Sequence, residues 1–422
     1  MTDALRDLPE GWTRTRLDRI ATVNARIGWK ALTASEYQPD GYAFLATPNI
    51  KNPEINFTDV NFISEFRYNE SPELQLRVGD VLLAKDGNTL GIVNVVRHLP
   101  RAATVNGSIA VLRSFDMEPR FLRYVIQSSF VQGHIDSVKD GMGVPHLFQR
   151  DIKRFLLPSP PKEEQDRIAN FLDAETSRID RLVHSYGRLA KLAEERSQRV
   201  LDTSIEQFTN RIPLRYIVRF REGPGIMAAD FHPSGVPLVR IAGLQGGEVT
   251  LNGCNFLDPE KVARQWSHFR LRLGDRLISG SATMGGVSVV KDPDLVGAVP
   301  YTGLIILRPA QPGIDMDYVE AFLRSTLFAQ QIDLLKTGAA MQHFGPTHLS
   351  QIQAPLPSPG EQRLVAATAS EALHHASRCK DLANRQVTLL HERRQALITA
   401  AVTGQFDVST TSGRYVREGA SA

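Results

Sequence analysis

One acid-x-lysine pair, Asp151-Ile-Lys153, has the spacing in which a carboxylate and an ammonium serve a metal-dependent nuclease. It stands just before Leu157-Pro-Ser-Pro160, a place where an aspartate ordinarily caps a turn. The matching stretch 197 residues later, His348-Leu-Ser350, has lost the pair. Other reactive arrangements are absent. There is no Gly-x4-Gly-Lys-Ser/Thr to cradle triphosphates, no His-Glu-x-x-His, and no Gly-x-Ser-x-Gly. The Asn-Pro-Pro-aromatic tetrapeptide of amino-methyltransferases is missing too. His374 and His375 are neighbours on a predicted helix, so they do not share a ligand face. Cys254 and Cys379 form no metal-ligand cluster and are expected as reduced thiols. The expectation is a chain with no catalytic residue, no metal site and no cofactor of its own. A stand-alone nuclease with duplicated domains, built on Asp151, is the alternative.

The elements that carry these residues are written twice. Arg77-Val-Gly-Asp80 returns as Arg272-Leu-Gly-Asp275, and Leu112-Arg113 as Leu307-Arg308, 195 residues on. Leu157-Pro-Ser-Pro160 with Glu164-Gln165 returns as Leu356-Pro-Ser-Pro359 with Glu361-Gln362. A period this long is a duplicated domain plus a long helix, not a solenoid repeat. In the first copy, short β-type runs lie at 42–46, 81–85, 92–96 and 108–113; in the second, at 238–241, 276–279, 287–290 and 304–307. An amphipathic helix follows at 119–138 and at 315–336, then a glycine loop. Each Leu-Pro-Ser-Pro closes its head by stopping strand pairing.

Beyond each closure a proline-free stretch predicts a rod of about 40 residues, roughly 60 Å long. Leu172, Ile179, Tyr186 and Val200 recur at heptad spacing, with Leu182 and Leu189 on the offset row. The second rod carries Ala376, Leu390 and Leu397, with Cys379 on its offset row. This pattern predicts two antiparallel helices packed as a coiled coil. The fold class is α/β (α+β): two similar globular heads separated by the helices, a pseudo-twofold internal repeat. The expected domains are 1–160, a helical spacer 161–210, 211–359, a second spacer 360–408, and a disordered tail 409–422. A 422-residue chain has room for them, at 42% hydrophobic and 23% charged content. No apolar run is long enough to span a membrane, and no signal peptide opens the chain, so the cytoplasm is expected. The net charge is only +3, and residues 1–160 hold nineteen Lys/Arg against eighteen Asp/Glu. A nucleic-acid ligand would therefore need its cations gathered on one face, or supplied by partners.

Two duplicated heads closed by Leu-Pro-x-Pro…Glu-Gln and a long helix resemble the specificity subunit of type I restriction–modification enzymes. Leu8-Pro-Glu-Gly-Trp12 is similar to the family's opening, and the string Leu390 to Phe406 to its C-terminal helix signature. The likeness covers residues 8–408, but Arg211-Ile-Pro-Leu-Arg-Tyr-Ile-Val218 lacks the Glu-Gly-Trp opening at the second head. It implies target-recognition domains that each read half of a bipartite, asymmetric site in double-stranded DNA. It also implies helices that set the spacing and dock two modification (methyltransferase) subunits, with two restriction subunits as optional further partners. S-adenosylmethionine, ATP and Mg would then be bound by those partners.

On that reading, base readers belong in polar loops where the copies differ, since phosphate contacts position and base contacts specify. Lys85-Asp-Gly-Asn88-Thr89 stands against Gly280-Ser281-Ala-Thr283-Met284. Asn88 suits adenine and Lys85 guanine or phosphate, while Ser281 and Thr283 offer weaker contacts; a solvated glycine turn is the alternative. Lys139 and His146 in one copy, and Lys336, Gln342 and His343 in the other, form a second set, although a lysine also suits a helix C-terminus. Asn49 and Lys51, with Arg240 and Gln245, are the third.

Overall fold

The structure is a computed structural model that describes residues 5–26, 32–51, 53–139, 145–280, 286–335 and 343–408. The expected tail 409–422 lies outside them. The chain divides into two compact units, Met1–Ser185 with Arg385–Ala422, and Tyr186–Asn384. Each unit thus owns one head and part of each long helix, Lys162–Glu206 and Pro359–Val402.

In the first unit, an antiparallel sheet runs in the order Ala21–Ala25, Ile109–Ser114, Val81–Ala84, Val93–Val95. A second sheet pairs Tyr42–Leu45 antiparallel with Asn61–Ile63 and parallel with Ala103–Val105. Val81–Ala84 is buried along its length because both of its faces pack: Val81 and Leu83 on the helix side, Leu82 and Ala84 toward the second sheet. The second unit repeats the plan, with Val218–Glu222, Leu304–Pro309, Arg276–Ser279 and Val287–Val289 in order. Its sheet continues through Glu248–Val249 to Leu244–Gln245. Gly246 and Gly247, both at positive φ, make the tight turn of that hairpin.

The repeated motifs explain themselves as bonds. Asp80 accepts from the Arg77 N–H and from the Arg113 guanidinium at 2.7 and 2.8 Å; Arg113 also donates to the Gln75 carbonyl. Asp275 repeats this with Arg272 and Arg308, and Arg308 donates to the Arg270 carbonyl. Gly79 and Gly274 occupy left-handed φ in the two turns. The Gln165 side chain accepts from the Glu118 N–H and donates to the Pro160 carbonyl; Gln362 does the same with Asp315 and Pro357. Both glutamines are buried, so each long helix is pinned to its head at its first turn.

Three expectations need correction. The first Leu-Pro-Ser-Pro is more than a terminator, because most of it lies within a strand, whereas the second directly follows its strand. Leu156–Ser159 pairs with Thr13–Arg16, and Gln353–Pro355 pairs with Arg211–Pro213, which is therefore the second head's opening strand. Proline is tolerated there because both strands of a two-stranded sheet are edge strands. The amphipathic helix after each head's strands is two helices, Pro119–Gln127 and Ser129–Val138, and again Met316–Leu323 and Thr326–Leu335. At the breaks the buried Ser128 and Ser325 hydroxyls donate to the carbonyls three residues back, competing with helical bonding.

The third correction concerns the seam. Leu172, Ile179 and Ala376 are buried, and Tyr186, Val200, Cys379, Leu390 and Leu397 are half-buried. Leu182 and Leu189 are exposed, at 40% and 50%. The covered row passes instead through Val183 and Ala190, and in the other helix through Val387 and Arg394. A straight helix turns every 3.6 residues, so a heptad row drifts off the packed face over several turns.

Candidate nucleic-acid interface

In the first unit, the end of the strand Val81–Ala84 and the segment 145–148 hold the predicted reading loop between them. The Lys85 N–H donates to the Ser108 carbonyl at 2.8 Å, Leu147 N–H to the Lys85 carbonyl at 2.9 Å, and Gly87 N–H to the Pro145 carbonyl at 2.9 Å. This brings Lys85, Asn88, Thr89 and His146 together. Lys85 is not a reader in this arrangement: it is 7% exposed and its ammonium pairs with Asp86 at 3.0 Å. Its stem lies under the loop, and Asp86 also meets the His146 ring. Thr89 donates to the Asp86 carbonyl, which shapes the turn. Asn88 alone of the set is exposed, on the single turn Gly87–Thr89, and its amide makes no hydrogen bond among the described residues.

Asn49 is also withdrawn from the surface. It is 8% exposed; its carbonyl oxygen accepts from the Ala46 N–H and its amide donates to the Asp59 carbonyl at 2.6 Å. An amide whose two ends are spent inside the fold cannot form a bidentate contact with adenine. Lys51 is exposed. Lys139 is exposed at the end of Ser129–Val138 and pairs with Asp136 one turn back, the placement that a helix C-terminus favours.

In the second unit, Gly280 takes the place of Lys85 and repeats its backbone bonds, with the Gly303 carbonyl and the Phe344 N–H. A Cβ at Gly280 would lie 2.2 Å from the Phe344 carbonyl oxygen, so the second head has no room for a side chain where the first carries a lysine. Ser281, Thr283, Lys336 and Gln342 lie outside the described residues. His343 is exposed beside them. Arg240 donates to Asn255 at 2.8 Å and lies 4.3 Å from the Tyr301 ring centroid, so its guanidinium is half spent on its own head. Gln245 is exposed on the hairpin, next to the Gly246-Gly247 turn, with its amide nitrogen on the Ala242 carbonyl.

Two further surface features lie outside the predicted sets. Arg150 is 71% exposed and stacks 4.8 Å from the centroid of Phe148, which itself meets the His146 ring edge-on. The second head offers Arg221, which donates to the His268 carbonyl and lies near the Phe269 ring. Alternating basic and aromatic residues (Phe148-Gln-Arg150 and His268-Phe269-Arg270) were the available signal. Guanidinium planes held on rings are pre-ordered donors for phosphate or guanine. Asp151 of the acid-x-lysine pair lies in the short helix Gln149–Ile152, with Arg150 3.7 Å away.

A half-buried charged joint ties the first head to its long helix. Asp173 accepts from Arg97 and Arg120, each at 3.1 Å, and from the Tyr124 hydroxyl at 2.7 Å. Burial pushes the Asp173 carboxyl up, but the Arg97 and Tyr124 bonds and the cations outweigh it and hold it below the usual carboxylate range. Burial raises the Tyr124 hydroxyl to about 12.

Residues 9–184 match the family model described as the type I restriction modification DNA specificity domain. The chain is 21% identical over 421 residues to the type I restriction enzyme EcoKI specificity subunit of Escherichia coli (strain K12), covering 94% of this chain and 90% of that one. It is 20% identical over 428 residues to the MjaVIII specificity subunit of Methanocaldococcus jannaschii, covering 95% and 94%. Among solved structures, a chain from a study of complex assembly and conformational transition in the type I R-M system superposes with a TM-score of 0.75 at 19% identity, covering 95% of this chain and 100% of that chain. The HsdS subunit from Thermoanaerobacter tengcongensis does so with 0.58 at 20% identity, covering 96% and 100%. These likenesses show a shared fold. No helix among the described residues is long and apolar enough to cross a membrane.

Proposed function

From the membership of residues 9–184 in the type I restriction modification DNA specificity domain family, and the likeness of the whole chain to type I specificity subunits, we propose that this chain is the DNA-recognition subunit of such a complex. Each head reads one half of a bipartite, asymmetric site in double-stranded DNA. The observation that carries this reading is one scaffold built twice around unlike loops. The Asp80–Arg113 and Asp275–Arg308 frames repeat bond for bond, whereas a buried Lys85–Asp86 pair supports the loop of exposed Asn88 in the first head and Gly280 admits no side chain at the same backbone position in the second. Two heads that differ in donors and acceptors suit two different half-sites, unlike the palindromes of true dimers.

In this reading the pseudo-twofold repeat is the organising principle, and its support is that contacts recur at the repeat offset. Gln395 donates to the Gln127 carbonyl in one unit and Gln198 to the Arg324 carbonyl in the other. Ser129 N–H donates to Thr399, as Thr326 N–H does to Asp202. The long helices pack antiparallel, act as the spacer between half-sites, and dock two modification subunits. Exposed Leu182 and Leu389 in the first unit, and Leu189, Leu192 and Leu382 in the second, are apolar surface of the kind a partner covers. The chain performs no catalysis itself. S-adenosylmethionine is held by the modification subunits, and ATP and Mg by restriction subunits.

The test is co-expression with a modification subunit, followed by genome-wide mapping of methylated adenines. One bipartite motif is expected, and Asn88→Ala with Arg150→Ala should alter one half of it while leaving the other intact. No complex and no site-specific methylation would reject the proposal. Inserting one heptad into one helix should lengthen the spacer or abolish assembly; unchanged spacing at full activity rejects the ruler role.

A further inference from the structure

The first unit contains a cationic cavity of about 440 Å³, and of its lining only Lys51 is among the predicted DNA contacts. Arg123, Arg394, Lys51 and His391, with Gln127, Gln132 and Gln395, supply its polar lining, and no carboxylate lines it among the described residues. Arg123 is only 5% exposed, yet its guanidinium makes no hydrogen bond and no ion pair among the described residues. Its one direct partner among the described residues is the Tyr124 ring, 5.0 Å away at the centroid. The Arg394 Nε and the Gln127 Oε1 are buried and unpaired as well, while another nitrogen of Arg394 pairs with Asp180. Burial first, and then the nearby Arg97 and Arg394 cations, pull the Arg123 pKa down, against the partial relief of Tyr124 and Asp173. A buried charge without a counter-ion is costly, and native proteins seldom retain one without a use.

The second unit shows what compensation looks like. The repeat places Glu320 where the first unit has Arg123, and Ser197 where it has Arg394. Glu320 is neutralised within its own head, by Arg324 at 3.0 Å and Arg276 at 3.7 Å. Among the described residues Arg123 has no such ion pair, only partial relief from Asp173, which leaves room for a counter-charge from outside.

We propose that this cavity binds a small oxyanion of the phosphate class, held by Arg123 with Arg394 and Lys51. Converging guanidinium and ammonium donors suit a multiply charged tetrahedral ion better than a single carboxylate. The unpaired Gln127 Oε1 can accept the proton of hydrogen phosphate. The depth of Arg123 favours a free ion or small phosphomonoester. A phosphodiester inside a duplex, flanked by its sugars, would stop at the rim.

The test is calorimetric titration of the full chain with inorganic phosphate, replacing chloride at constant ionic strength. One saturable site in the millimolar range or tighter is expected. Arg123→Gln should weaken it by about tenfold or more. Lys51→Gln, at an exposed position, should weaken it by about threefold and decides the matter if Arg123→Gln does not fold. The proposal is overturned if phosphate gives no saturable binding, or if the variants that fold bind as the parent does. Acetate binding as tightly as phosphate overturns the ligand class. A random-sequence duplex that displaces phosphate, and itself binds less well to Arg123→Gln, overturns the assignment to a free ion.

Discussion

The two units use the same backbone recipe and opposite polar chemistry. Where the first ties its head to its long helix through Asp173, Arg97, Arg120 and Tyr124, the repeat positions of Asp173 and Tyr124 in the second are Ser370 and Ala321. The second unit places its acid elsewhere, at Asp202, which accepts from the Thr326 N–H and hydroxyl at 2.8 and 2.7 Å. The corresponding position in the first is the neutral Thr399. What stays constant is the set of bonds that fix main-chain geometry: Asp80 and Asp275 under their turns, Gln165 and Gln362 at the helix starts, Ser128 and Ser325 at the helix breaks. Charge is redistributed between the copies while these main-chain bonds are kept.

The comparison can be broken most forcefully at the shared frames. Asp80→Ala and Asp275→Ala each strand a half-buried arginine and a turn N–H, and each should cost its own unit about 3 kcal/mol. Hydrogen exchange resolved by segment would check this, with equal losses expected in the two units. Asp173→Asn comes next and should affect the first unit alone, by about 2 kcal/mol near neutral pH. Because the folded-state pKa of Asp173 lies below its unfolded value, its contribution is present above about pH 4 and fades as pH falls through the folded pKa. Denaturation midpoints of the variant and parent should therefore converge in acid. Gln165→Ala and Gln362→Ala remove two bonds each and leave a buried N–H orphaned, for about 1–2 kcal/mol in either unit by the same exchange measurement. The smallest effect belongs to the surface: Arg150→Ala should leave stability unchanged and lower the salt dependence of DNA binding by about one unit of slope.

Much of the scaffold was legible because it is local. Strand positions such as 81–85 and 276–279 follow from apolar runs between glycines, and the structure places strands at Val81–Ala84 and Arg276–Ser279. The amphipathic stretch 119–138 was visible, but its break was not, since one serine carries no periodicity of its own. The helical seam was misplaced at Leu182 and Leu189 because a heptad count and a 3.6-residue turn diverge only over several turns. The reader residues were the least legible. Asn49 and Lys85 have the right chemistry, but whether a polar side chain faces solvent or its own fold depends on contacts distant in sequence, Asp59 for Asn49 and the Ser108 and Leu147 backbone for Lys85 among them. Arg123 was invisible for the same reason. A basic residue in an amphipathic helix reads as solvated until its surroundings are known.

The division of the chain also has a consequence in time. The second unit is one uninterrupted segment, Tyr186–Asn384, whereas the first needs residues from both sides of it. Ile398, Ala401 and Val402 are fully buried in the first head's core beside Leu172 and Phe121. On the ribosome, the head translated first therefore waits for the last helix to emerge, with apolar surface uncovered while nearly two hundred further residues are made. The order of completion is the reverse of the order of synthesis, and the final turns of the C-terminal helix close the N-terminal half of the molecule.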